Sequence, residues 1–280
     1  MLRSSVHGEL LTQKWRPVPL LVAHVIAALL LLSYLFPTGR AIWQALDTKV
    51  FFLLNGSLVG HGFWAQLWAW TNTRYCDAFG GLVILIFLLY PVTGFRREQL
   101  QSAAFLCFAM MLAMLSLRTV FHFFCDWIEL RVVGPSLVLS PAVRLSELFP
   151  SIPLKDASTS SFPGDHATVL FAWAGFVLIN NRSWKSWIAA GIPLMLVLPR
   201  LFSGAHWLSD QLVGGLFVAI PILGWTYFSP LVAYLARCLA WAAGPVLDRL
   251  ASWPWLRNQE FFLNSAHRSI MATDNITTAG

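Results

Sequence analysis

Residues 161 to 176, SFPGDHATVLFAWAGF, place Asp165 and His166 directly before an apolar run. A charged or titratable side chain at the mouth of a membrane segment is costly to desolvate, and such residues usually serve a function. A second stretch, PRLFSGAHWLSD at 199 to 210, repeats the arrangement, because a histidine and an aspartate precede another apolar run. The positions of these runs therefore predict both the fold and the site.

The composition is typical of an integral membrane protein. Hydrophobic residues make up 57% of the 280 positions and charged residues only 11%, which is too little polar surface to cover a soluble globule. We expect an all-α integral membrane protein, because apolar stretches long enough to cross about 30 Å of hydrocarbon recur along the chain. They predict a bundle of six transmembrane helices, over 18–37, 77–95, 102–124, 166–180, 187–203 and 207–228.

Basic residues indicate the orientation, since short loops that carry Lys and Arg stay in the cytoplasm. Such residues occur in the two tails and in two connections, at Lys14, Arg16, Arg96, Arg97, Arg182, Lys185, Arg237 and Arg249. Six helices with both termini in the cytoplasm place all four of these basic segments, the two tails and the two connections, on the cytoplasmic side. We therefore expect a tail over 1–17, a catalytic membrane domain over 18–228, and a cytoplasmic interfacial helix and tail over 229–280.

The outward connections are then expected over 38–76, 125–165 and 203–206. The first is rich in Trp, which is typical of helices that lie in the membrane interface. The second is long for a connection inside a compact domain, and loops of this length are usually functional. Cys76 and Cys125 fall at the outward ends of two helices. They form either a disulfide or, as we favour, two unpaired small hydrophobic side chains.

Six basic residues fall on the outward side, where the orientation rule disfavours them: Lys49, Arg74, Arg131, Arg144, Lys155 and Arg200. Together they indicate an anionic ligand, although long translocated loops also tolerate basic residues. The net charge of +6 favours contact with anionic membrane lipids. It does not indicate nucleic acid, because no basic patch alternates with aromatic residues.

The stretch 199–210 has the spacing of a catalytic histidine with its orienting carboxylate. If the sixth helix begins near His206, then His206 and Asp210 lie one turn apart on one helix face. Asp210 can accept a hydrogen bond from one imidazole nitrogen and leave the other as a nucleophile. Arg200 offers a planar guanidinium suited to a phosphate group. The stretch therefore predicts an anion site with a poised nucleophile.

The stretch 161–176 is its expected partner on the same membrane face. Pro163 and Gly164 lead into Asp165 and His166 at the N-terminus of the fourth helix. A second imidazole that faces the first across a phosphate can protonate a leaving oxygen. A lone histidine at a helix end is more often a cap or a core residue. Two histidines, an arginine and an aspartate at these spacings favour catalysis instead.

FPGDH, followed by the pattern R-x5-H-x3-D, resembles the second and third signature motifs of the type 2 phosphatidic acid phosphatase superfamily. Within it, TNTRYCD (71–77) and KDASTSSFPGDH are similar to the subgroup of lipid A phosphotransferases, which move a phosphate from undecaprenyl diphosphate to lipid A. The resemblance implies a phosphohistidine on His206, an orienting Asp210 and a proton-donating His166. It also implies that Arg200 binds phosphate oxygens. No metal or other cofactor is implied, and the sequence has no cluster with metal-ligand spacing.

The sequence also departs from the superfamily. The second motif of the family reads Pro-Ser-Gly-His, whereas Gly164 and Asp165 occupy the middle positions here, which removes a hydroxyl and adds a negative charge. The added carboxylate favours the protonated form of His166. The first motif, Lys-x6-Arg-Pro, is absent, and Arg131 is its best substitute. The further candidates for phosphate contacts are Arg144, Lys155, Arg74, Gly164 and Asp165.

The sequence predicts an enzyme of the cell inner membrane whose active site faces the periplasm. We expect it to transfer the distal phosphoryl group of undecaprenyl diphosphate through the phosphohistidine to lipid A, releasing undecaprenyl phosphate. A phosphatase that transfers the phosphoryl group to water shares the first half-reaction and is the alternative. A proton-relaying transporter predicts polar residues near the bilayer midplane and inverted repeats, which the sequence does not show.

Overall fold

The computed structural model describes residues 10–11, 14–60, 62–90, 95–127, 132–253, 255–256 and 259–263. Within these residues the chain is helical and contains no strand. The helices are α1 (Pro17–Leu35), α2 (Pro37–Gly56), α3 (Gly62–Thr71), α4 (Arg74–Leu89), α5 (Leu100–Trp127), α6 (Leu145–Leu148), α7 (Asp165–Asn180), α8 (Trp184–Leu194), α9 (Leu198–Phe202), α10 (Gly215–Phe228), α11 (Leu231–Ala251) and α12 (Glu260–Leu263). A 3-10 turn joins α8 to α9, and a π-helical turn over Asp210–Gly214 leads into α10.

The all-α membrane class that the composition predicts is confirmed. In the described part of the chain, five helical segments are long and apolar enough to cross a membrane: Pro17–Leu35, Leu100–Cys125, Trp184–Phe202, Asp210–Phe228 and Leu231–Ala251. The apolar helix α7 has 16 residues, and α4 also has 16. Each of the six predicted segments overlaps a helix, while the number of crossings and the orientation stay predictions.

The segment after the last predicted crossing forms α11, which is 21 residues long. Ala233, Ala236 and Ala240 are buried on one side of it, and the helix packs against α5 and α10. The chain beyond α11 returns to the beginning of α5, where Gln101 donates a hydrogen bond to the carbonyl of Phe261 at 2.8 Å. The cytoplasmic, interfacial location of this segment stays a prediction.

Helix α10 lies at the centre of the bundle, where it packs against α1, α5 and α7. Small residues permit the close approach to α7: a Cβ on Gly215 would fall 2.8 Å from the Cβ of Ala167. About two turns further along both helices, a Cβ on Gly175 would fall 2.3 Å from the side chain of Leu223. The contacts advance together, so α7 and α10 run parallel. The two sequence motifs that begin these helices therefore meet at the same end of the bundle.

The connection between α5 and α7 is held by hydrogen bonds along its described part. The backbone N–H of Ser161 donates to the carbonyl of Val132 at 2.8 Å, and that of Ser136 donates to Gly204 at 3.0 Å. Asn55 on α2 donates to the carbonyl of Val143 and accepts its N–H, at 3.0 and 2.7 Å. These bonds fix the connection against α2 and against the turn that precedes His206.

Cys76 and Cys125 are not joined by a disulfide in the described part of the chain. Cys76 is half-buried, and Cys125 is buried. The described residues of 38–76 form α2, α3 and the beginning of α4, so helices are present in this segment, and its location on the outward side stays a prediction.

Candidate active site

His206 follows a turn that requires glycine. Arg200 lies on α9, and the chain then reverses at Gly204, whose φ of +71° lies in the left-handed region that favours glycine. The N–H of His206 donates to the carbonyl of Arg200 at 3.2 Å. The helical segment that continues into α10 begins at Leu208. His206 therefore precedes the helix and is positioned by the turn.

The imidazole of His206 is oriented by the stretch 161–176. Its Nδ1 lies 2.8 Å from the carbonyl oxygen of Ser161. Because a carbonyl only accepts hydrogen bonds, Nδ1 must carry the proton, and in the neutral ring Nε2 keeps its lone pair. The residue is only 8% exposed. The arrangement leaves one nitrogen of a fixed, nearly buried imidazole available as a nucleophile.

The predicted hydrogen bond between Asp210 and His206 is wrong. Oδ2 of Asp210 lies 3.7 Å from Nδ1 of His206, and it accepts the backbone N–H of Trp207 at 2.9 Å instead. The reason is local: the helix starts at Leu208, so Trp207 is its N-cap and the residue three positions later folds back to it, as in a capping box. Asp210 is fully buried, and its negative charge still lies next to the imidazole.

Arg200 and His166 come together around a carboxylate that the sequence analysis did not assign. Oδ2 of Asp77 accepts a hydrogen bond from Nη2 of Arg200 at 2.8 Å. Oδ1 of Asp77 lies 3.1 Å from Nε2 of His166, and Nη2 of Arg200 lies 3.0 Å from the same nitrogen. The three side chains form one cluster, which we call the Asp77 cluster.

The beginning of α4 holds this cluster in place. Thr73 caps the helix by accepting the N–H of Cys76. Asn72 is buried, and its side-chain oxygen accepts a hydrogen bond from Nη1 of Arg200 at 2.5 Å. Its amide nitrogen donates to the carbonyl of Lys155 at 2.7 Å. Arg200 is thus fixed from two sides, and its side chain is 7% exposed.

Asp165, which precedes His166 in the sequence, is paired with an arginine of another helix. Its Oδ1 accepts a hydrogen bond from Nε of Arg118 at 2.6 Å. Arg118 belongs to α5 and was not predicted as a site residue, although a single arginine in an apolar helix is a signal for function. The carboxylate that contacts His166 is Asp77. Both members of the Arg118–Asp165 pair are partly exposed.

A backbone hydrogen bond from Gly164 connects the second motif to the third motif. The N–H of Gly164 donates to the carbonyl of Asp210 at 3.0 Å. A Cβ at this position would fall 2.9 Å from that carbonyl oxygen and 2.7 Å from the side-chain oxygen of Gln211. The serine that the superfamily carries here would therefore collide with the turn after Asp210. The close approach explains why this chain has glycine.

The other basic candidates lie in different surroundings. Arg144 forms two hydrogen bonds with the buried carboxylate of Asp156, at 3.1 and 3.3 Å. Burial by itself raises the pKa of Asp156, but hydrogen bonds from Arg144 and Ser146 outweigh it and hold the pKa below its usual value. If Arg144 bound a phosphate, its guanidinium would have to contact both the phosphate and Asp156. Lys155 and Arg74 are exposed. The roles of Arg144, Lys155 and Arg74 in phosphate binding stay predictions. Arg131 lies outside the described residues.

A second buried carboxylate supports the helix that follows His206. Asp47 on α2 accepts the backbone N–H of Ser209 at 2.8 Å and its hydroxyl at 2.6 Å. Asp47 is 5% exposed. Burial raises its pKa to about 6, against the opposing effect of the hydrogen bonds from Ser209. Asp47 thus links α2 to the first turn of the segment that carries Asp210.

Sequence reasoning missed Asp77, Asn72, Arg118 and Asp47. For Asp77 a signal was present, because it stands at the start of an apolar segment like Asp165, within the quoted stretch TNTRYCD. Asn72 belongs to the same stretch, whereas for Asp47 the sequence carries no signal of its own, since it acts through contacts with the distant Ser209. Among the described residues, no group of three or more His, Cys, Asp or Glu could hold a metal ion.

Comparisons with known proteins agree with these motifs. The PAP2 superfamily matches residues 139–233. The chain is 30% identical over 217 residues to lipid A 1-diphosphate synthase of Escherichia coli (strain K12), which covers 76% of this chain and 88% of the relative. It is 29% identical over 102 residues to the putative undecaprenyl-diphosphatase YbjG of the same organism, covering 36% and 46%. The crystal structure of Aquifex aeolicus LpxE matches with a TM-score of 0.40 and 20% identity, over 65% of this chain and 96% of that one.

Proposed function

Because this chain belongs to the PAP2 superfamily and is a membrane enzyme that acts on lipid phosphates, we propose that it transfers the distal phosphoryl group of undecaprenyl diphosphate to lipid A. The reaction proceeds through a phosphohistidine on His206 and releases undecaprenyl phosphate. The active site faces the periplasm, and the protein resides in the inner membrane.

The observation that carries the proposal is the fixed tautomer of His206. The Ser161 carbonyl holds the proton on Nδ1 at 2.8 Å, so Nε2 attacks the phosphorus without first losing a proton. Phosphorylation makes the ring cationic, and the buried Asp210 carboxylate at 3.7 Å stabilises that charge. Arg200 then stabilises the negative charge on the transferring phosphoryl oxygens.

His166 supplies the proton for the leaving oxygen. It stands at the first turn of α7, beside Arg200, and its side chain is 31% exposed, so a substrate can reach it. Proton donation by a positioned histidine contributes about 10²–10⁴-fold in rate. The neutral imidazole that remains can take a proton from the acceptor in the second half-reaction.

Transfer to lipid A is favoured over transfer to water by the relatives. The chain covers 88% of the length of lipid A 1-diphosphate synthase. The second candidate function, hydrolysis of undecaprenyl diphosphate, is supported by the name of YbjG, of which the chain covers 46%. Both functions use the same first half-reaction and differ in the acceptor.

The experiment is a transfer assay with purified protein in detergent and undecaprenyl diphosphate labelled on its distal phosphate. We expect label on lipid A, and none with His206→Ala. His24→Ala is the matched control, because His24 lies on α1 and is bound to Leu20 and Trp225, outside the site. Label that appears only as inorganic phosphate would establish the phosphatase instead. Release that does not depend on His206 would contradict both functions.

A further inference from the structure

Asp77 lies between two groups that the proposed reaction requires to be positively charged. Its Oδ2 binds Arg200 and its Oδ1 faces His166, at 2.8 and 3.1 Å. The carboxylate is 30% exposed, and it belongs to the first turn of α4. Neither of its contacts is needed to form α4, because Thr73 already caps that helix.

The geometry at Nε2 of His166 allows only two arrangements. A carboxylate oxygen only accepts hydrogen bonds and a guanidinium only donates them. When Nε2 carries a proton, it donates to Asp77; when it does not, its lone pair accepts from Arg200 at 3.0 Å. Asp77 therefore favours the first arrangement, and Arg200 alone would favour the second.

The charges around His166 also require an anion, and Asp77 supplies it. An imidazolium 3.0 Å from a guanidinium is strongly disfavoured unless an anion lies between them. The adjacent Asp165 is bound to Arg118. Of the charged groups among the described residues that face this imidazole, Asp77 is the one whose carboxylate contacts both cations.

We propose that Asp77 is a positioning residue that keeps the proton on Nε2 of His166 and thereby makes Nδ1 the acid of the reaction. The inference rests on the proposed function. In the first step Nε2 of His206 bonds to phosphorus, the bond from phosphorus to the bridging oxygen breaks, and that oxygen takes the Nδ1 proton. In the second step the acceptor oxygen bonds to phosphorus and gives its proton to Nδ1 of His166, while the bond from phosphorus to Nε2 of His206 breaks.

The first measurement is the tautomer of His166 by ¹⁵N NMR of histidine-labelled protein in detergent. His166→Gln identifies the signal among the 7 histidines. We expect the neutral ring of the wild type to carry its proton on Nε2. In Asp77→Asn the amide nitrogen and Arg200 both donate toward Nε2, so the proton should move to Nδ1. A wild-type ring with its proton on Nδ1 would overturn the inference, and this outcome needs no variant to fold.

The second measurement is turnover of labelled undecaprenyl diphosphate. Asp77→Asn should lower kcat about 10²-fold, as expected for a misdirected general acid, while KM changes little. Asp77→Glu, which keeps the charge, should recover part of the loss. Asp248→Asn on α11 is the matched control. An unchanged kcat in Asp77→Asn, or a loss confined to KM, would overturn the inference. Turnover that is independent of His206 would instead refute the proposed function and leave the NMR result standing.

Discussion

Replacing Asp210 by asparagine tests whether its carboxylate acts through charge, as the structure indicates, or through a hydrogen bond. The carboxylate lies 3.7 Å from Nδ1 of His206, which is bound to Ser161. Two unit charges about 4 Å apart interact by about 4 kcal/mol at an effective dielectric constant of about 20. Because only part of the positive charge has formed on His206 in the transition state, we expect Asp210→Asn to lower the rate of phosphohistidine formation about 10²-fold.

The rate is measured by rapid quenching of the reaction with labelled undecaprenyl diphosphate and by counting the protein-bound label. The control is the melting temperature in detergent. Asparagine keeps the oxygen that accepts the Trp207 N–H, so Asp210→Asn should unfold within a few degrees of the wild type. Phosphohistidine formation within about threefold of the wild-type rate, in a variant of unchanged melting temperature, would refute the electrostatic role of Asp210.

Three further predictions concern the surroundings of the site. Arg200→Lys should lower kcat/KM about 10²-fold with the same donor, because a single ammonium group cannot bind Asn72 and Asp77 together as the guanidinium does; activity within tenfold of wild type would contradict this. Gly164→Ala should destabilise the protein by about 1–3 kcal/mol, since its Cβ would meet the carbonyl of Asp210. Gly62→Ala, whose Cβ would meet nothing within 4 Å, is the matched control, and equal melting temperatures would count against the collision. Asp47 has a pKa of about 6 in the folded protein, above its unfolded value of 3.8, so its stabilising effect is complete below the unfolded value and is lost as the pH rises through about 6. The melting temperature of the wild type should therefore fall between about pH 4 and about pH 6, the interval between the unfolded and folded pKa values, and Asp47→Asn should remove that part of the fall; an identical pH dependence in the two proteins would refute it.

Much of the site is encoded in local spacing. Arg200, His206 and Asp210 lie within one short stretch; the turn at Gly204 bonds the N–H of His206 to the carbonyl of Arg200, and the helix that begins at Leu208 places Asp210 next to His206. His166 follows from its place at the start of an apolar helix. The error about the Asp210 hydrogen bond is also local, because it depended on where the helix begins. Moving that start from His206 to Leu208 turns Asp210 into the capping partner of Trp207.

The sequence by itself determined the membrane class of this protein and predicts its reactive residues. Apolar length and charge spacing are properties of neighbouring positions, and the bilayer imposes them directly. Only the tertiary structure decided which groups orient those residues. Ser161 reaches His206 across 45 positions, and Asp77 reaches Arg200 across 123. Such contacts depend on the parallel packing of α7 with α10 and on the place of α4 beside α8. The physical reason is that a backbone carbonyl or a single aspartate leaves no pattern in the sequence until packing brings it within hydrogen-bond distance.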